Sequence, residues 1–101
     1  MDRAHRNLAV AVGAAKDQAK QILSQLERQG HAHSGRSSTL YLALVMIHQQ
    51  VQAADPSSVP LKHFLPDLEQ LTRRCEGTLA PVKPLLEAAV RLAREEGEGG
   101  A

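Results

Sequence analysis

Aromatic residues are nearly missing from this chain. Tyr41 and Phe64 are the only two, and there is no Trp. Two rings cannot build a base-stacking platform for single-stranded nucleic acid. They also leave any core to Leu, Val, Ile and Ala, the side chains with which helices pack on helices. Cysteine is scarce too. Cys75 stands alone, which excludes an internal disulfide and fits a reducing compartment, the cytoplasm. Charge of one sign is also lacking. The formal net charge is +1, with six Lys/Arg against three Asp/Glu in residues 1–50 and six against eight in residues 51–101. Neither half is basic enough to act as a nucleic-acid arm. No membrane-length apolar run occurs: the longest, Leu40 to Ile47, has eight residues, where a helical span needs about 20. Absent as well are a Gly-rich phosphate loop, a Cys-x-x-Cys pair, a His-x-x-x-His pair and a Glu-x-x-His motif. No enzyme class is therefore expected, and no cofactor.

What is present is a globular balance, 43% hydrophobic and 23% charged over 101 residues. That is enough chain for one domain with its own core. The run Leu40 to Ile47 reads as the buried centre of a helix over about 38–54. Ser37, Ser38 and Thr39 stand before it and can accept from free N–H groups of a first turn. Leu40, Leu44, Ile47, Val51 and Ala54 step by four, three, four and three, which keeps one helical face apolar. Asp55-Pro56 ends the pattern, since proline disfavours helix at the residue before it. The first half of this helix is apolar on every side, so neighbours are expected to cover more than one of them.

The first helix is expected over about 2–29, with Gly30 as its left-handed cap. Arg3 and Arg6 before Leu8-Ala9-Val10-Ala11-Val12 resemble a short signal-peptide core. However, Leu8, Val12, Ala15, Ala19, Ile22 and Leu26 form one seam that runs through the place where cleavage would fall. Ala11, Ala15 and Ala19 recur every four residues, and small side chains there predict the tightest helix crossing. Gln18, Gln21, Gln25 and Gln29 form a neutral stripe beside the seam.

A third helical element is expected over about 60–76, short or kinked at Pro66. The cleanest parse is a turn over Pro60–Phe64 and a restart with Pro66 at the first helical position. Asp67 and Glu69 then fall in the first turn, Arg73 and Arg74 in the last, and Gly77 closes it. The final helix is expected over about 81–96, with Pro81 and Pro84 where a helix has no use for their missing N–H groups. Its buried stripe is Val82, Leu85, Leu86, Ala89, Leu92 and Ala93. Residues 97–101 form a Gly-rich tail expected to be disordered. Together these make one all-α domain over 1–96, an antiparallel four-helix bundle with a long first helix and a short third.

Length drives the functional expectation. The first helix outruns the third, so part of its coiled-coil-like seam is expected to lack cover within one chain. Leu8, Val12, Ala15, Gln18, Ala19, Ile22, Gln25 and Leu26 are then the candidate interaction residues. They would take a second copy, as in a homo-oligomer, or an amphipathic helix of a protein partner, as in an adaptor. Two other chemistries remain open. His31 and His33 are a minimal metal-ligand pair in the first loop, below the three or four ligands a site needs. Arg3, Arg6, Lys16, Lys20, Arg28 and Arg36 give the first helix a basic side for phosphates, interrupted by Asp2, Asp17 and Glu27. Cys75 lies on an apolar stripe, where a buried and inert thiol is expected.

Overall fold

The computed structural model describes residues 3–30, 35–55 and 57–99, without the side chains of residues 36 and 95–99. Four α-helices make up the bundle: α1 (Arg3–Arg28), α2 (Gly35–Ala53), α3 (Leu65–Arg74) and α4 (Lys83–Gly99). Two 3-10 segments lead into the last two, Leu61–Phe64 before α3 and Gly77–Val82 before α4. There is no strand among the described residues.

α1 is the hub. It packs against α2 and α4, while α3 packs mainly on α4 and only lightly on α2. Its inward face is His5, Leu8, Ala9, Val12, Ala15, Ala19 and Leu23. Ala15 and Ala19 on α1, and Ala89 and Ala93 on α4, are all 0% exposed, which lets the two backbones approach closely. Gly30 closes α1 at φ 78°, where a side chain would be strained. Its N–H donates to the Glu27 carbonyl at 3.1 Å.

Several boundaries differ from the sequence expectation. α2 starts at Gly35, three residues early, because Thr39 Oγ1 donates to the Gly35 carbonyl at 2.8 Å instead of capping a later start. Pro66 occupies the second position of α3, after Leu65, and the 3-10 turn fills the space before it. Pro81 lies inside the second 3-10 segment, and α4 begins only at Lys83, with Pro84 next. In that segment Leu79 and Val82, three apart, are both buried, as the three-residue period of a 3-10 turn requires. Gly77, at φ 60°, opens this segment instead of closing α3. α4 continues through Gly99, into the stretch expected as a tail. His31, His33, Pro56, Gly100 and Ala101 lie outside the described residues.

The second 3-10 segment also changes the length argument. It packs on α1, and its Leu79 lines a groove with Ser37 and Leu40 at the start of α2, beside the end of α1. α4 with its lead-in is thus nearly as long as α1, and in the far half of the α1 seam Ala19 and Leu23 are buried while Ile22 and Leu26 stay half-buried.

The loop after α2 is fixed by two side chains. Asp55 accepts from the Ser57 N–H at 3.1 Å and from the Ser57 and Ser58 hydroxyls at 2.8 and 3.2 Å. These bonds favour the charged carboxylate and hold its pKa below the ordinary value. His5, 3% exposed, places Nε2 at 2.8 Å from the Val59 carbonyl and so ties this loop to the first turns of α1.

Candidate functional site: the outward face of α2

Leu40, Leu44, Ile47 and Val51 turn inward on α2 and are at most 4% exposed. The same helix carries apolar residues on its opposite side. Thr39, Leu42, Met46 and Gln49 step by three, four and three and all face solvent. Leu42 and Met46 are each 59% exposed, among the largest apolar exposures in the fold. Tyr41, Ala43 and Val45 flank them, half-buried. The geometry follows from the packing. α2 has a full neighbour in α1 and a light one in α3, so two contacts serve a helix whose first half is apolar all round. One side is left open.

Ser37 to Ala54 contains no Asp, Glu, Lys or Arg. Charge stands only on the flanks. Toward α1, Arg6, Lys16 and Asp17 share a groove of about 470 Å³ with Val10, Gly13, His48 and Gln52. Val10 is 68% exposed there and extends the apolar surface sideways. A second groove joins Lys20 and Glu27 of α1 to Ser38, Tyr41 and Leu42. Toward α3, Asp67 and Arg74 share a groove with Met46 and Gln50. His48 is half-buried against Gly13. A Cβ at residue 13 would lie 3.0 Å from His48 Nε2, so the glycine makes room for the ring. Burial, and then the Lys16 ammonium, lower the His48 pKa from its ordinary 6.5, and Asp17 opposes them.

The residues proposed from sequence separate here. Leu8, Val12, Ala15 and Ala19 are 0% exposed inside the bundle and offer nothing to a partner. Ile22, Leu26 and Gln18 are half-buried, and Gln25 is exposed. After Ala19 the inward position passes to Leu23. Ile22 stands about 40° around the helix from Leu8, so Leu23 takes the inward position in that turn. Leu26 returns to the phase of Leu8 after five full turns, yet it is only half-buried near the end of α1. Among the exposed cations of α1 are Arg3, Arg6, Lys20 and Arg28. Lys16 lies 3.9 Å from Asp17, so acids do break up this basic side.

Other polar clusters are modest. Between α3 and α4, Arg94 donates to Glu69 at 3.0 Å across an open groove that also holds Arg73, Glu87 and Arg91. Among the described residues, no three of His, Cys, Asp and Glu converge as metal ligands. Cys75 is 1% exposed, and burial pushes its thiol up to about 11. It is therefore protonated and shielded at neutral pH. No described helix is long and apolar enough to cross a membrane.

The chain was compared with protein-family models, curated proteins and solved structures, and it matches none of them.

Sequence reasoning missed Leu42, Met46 and Val10. The signal for the first two was present: a helix apolar on all sides cannot be sheathed by two neighbours.

Proposed function

We propose that this chain is a non-enzymatic interaction or assembly module, and that its docking surface is the outward face of α2. One observation carries this reading. Leu42 and Met46 lie side by side, 59% exposed, on a helix with no charged residue between Ser37 and Ala54. An uncharged apolar centre with charges confined to the rim is the composition of protein–protein interfaces. Covering each of these side chains stabilises a complex by roughly 1–2 kcal/mol, scaled from the value of full burial. The surface differs from the α1 seam that length alone suggested, because Leu8, Val12, Ala15 and Ala19 are already covered. The module is assigned to a reducing compartment, the cytoplasm, on the strength of its single cysteine.

Light scattering after gel filtration, over a concentration series, tests the reading. An apparent mass that rises with concentration is expected. A strict monomer at millimolar concentration that also binds no amphipathic helix contradicts it.

A further inference from the structure

Building on the function proposed above, we infer that the occupant of the α2 face is a second copy of this chain, docked antiparallel about a two-fold axis between Val45 and Met46. A two-fold contact demands a face complementary to itself. Reversing α2 about that point sets Met46 beside the partner's Met46 and Val45, Leu42 opposite the partner's Gln49, and Thr39 opposite the partner's Gln52. The centre is then apolar and the ends are neutral amides and a hydroxyl. No like charges meet, because the face has none.

The flanks obey the same symmetry. α1 runs against α2 in the opposite direction, with Gly13 beside His48. Arg6 therefore borders the Gln52 end of the face, and Glu27 borders the Ser38 end. Reversal brings Arg6 to the partner's Glu27, twice per dimer. On the other side, Asp67 in the first turn of α3 and Arg74 at its end border the same groove. Reversal brings Asp67 toward the partner's Arg74. Helix dipoles agree as well: antiparallel pairing sets each positive N-terminal end of α2 beside a negative C-terminal end, and parallel pairing sets like ends together. A second copy presents the same uncharged stripe and sets opposite charges at the ends of both flanks, while Lys16 and Asp17, level with the axis on α1, meet the same two residues of the partner as a mixed pair.

Disulfide trapping of two single variants, Met46→Cys and Leu42→Cys, tests the geometry, read beside light scattering of the wild type. Cys75 is buried and does not compete. In the antiparallel dimer the two copies of residue 46 meet. The two copies of residue 42 stand seven residues apart along the helix, about 10 Å, beyond disulfide reach. Cross-linking of Met46→Cys without Leu42→Cys is the expected result. Cross-linking of Leu42→Cys means parallel or unspecific contact and overturns the inference, while self-association stands. A wild-type dimer with neither cross-link means that another face assembles, which overturns the inference and the α2 docking surface with it and leaves only self-association. A monomer with neither cross-link removes the second copy altogether.

The flank pairing has its own readout. Arg6→Glu alone and Glu27→Arg alone should each raise the dimer dissociation constant by about threefold to tenfold. Mixing the two variants should restore it, because each then meets the opposite charge. Mixing without recovery contradicts the register.

Discussion

α1 and α2 pack against each other, yet they solve opposite problems. α1 is amphipathic: one inward face from His5 to Leu23, with polar and charged residues around most of the rest. Its neighbours α2 and α4 and the 3-10 segment before α4 cover that face. α2 is apolar all round in its first half and has only one full neighbour and one light one. The difference teaches where to look for function. A long seam does not mark an interface if the bundle can extend to cover it. A shorter helix with too few neighbours leaves an apolar face open.

The contrast breaks most sharply within α2 itself. Leu44→Ala, at a residue with 0% exposure, should cost about 2–5 kcal/mol in urea unfolding of the dilute protein. Leu42→Ala, two residues away and outward, should change it by about 0.5 kcal/mol or less. Equal costs would mean that both faces are buried in one chain. On α1, Ala15→Leu should overpack the seam and cost about 1–3 kcal/mol by the same assay. An unchanged midpoint would show that this face is not the tight crossing. Gly30→Ala should cost about 1 kcal/mol, since its φ of 78° disfavours any side chain although no atom crowds the site.

The smallest effect sits between the two helices, at His48. Its folded pKa lies below the ordinary 6.5. Between those two values the unfolded chain holds a proton that the folded chain does not. Stability is therefore complete above 6.5 and falls as pH drops through the folded value. Unfolding across a pH series should show that slope, and His48→Gln should flatten it. A slope that persists unchanged in His48→Gln assigns it to another group.

Much of the fold was legible because helix punctuation is local. Gly30 closes α1 where expected, and α3 opens at Leu65, one residue before the expected Pro66. The inward stripe of α2, Leu40 to Val51, follows its four–three spacing. The misses have physical causes. Ile22 yields the inner face to Leu23, and Leu26, in phase with Leu8, is half-buried near the end of α1. Pro81 was read as the start of an α-helix, but it lies inside a 3-10 segment, Gly77–Val82, that spacing alone does not announce. The candidate site was the least legible part. The outward exposure of Leu42 and Met46 depends on how many neighbours α2 obtains, which is a matter of tertiary packing: α3 packs mainly on α4 and only lightly on α2.

The central claim is that one face of α2 is buried by its own chain and the opposite face by a second copy. Methyl NMR with a soluble paramagnetic agent, run from micromolar to millimolar protein, tests it most directly. Leu44 methyls should be shielded throughout. Leu42 and Met46 methyls should broaden at low concentration and become shielded at high concentration. Leu42 and Met46 methyls that stay accessible at every concentration would contradict the account.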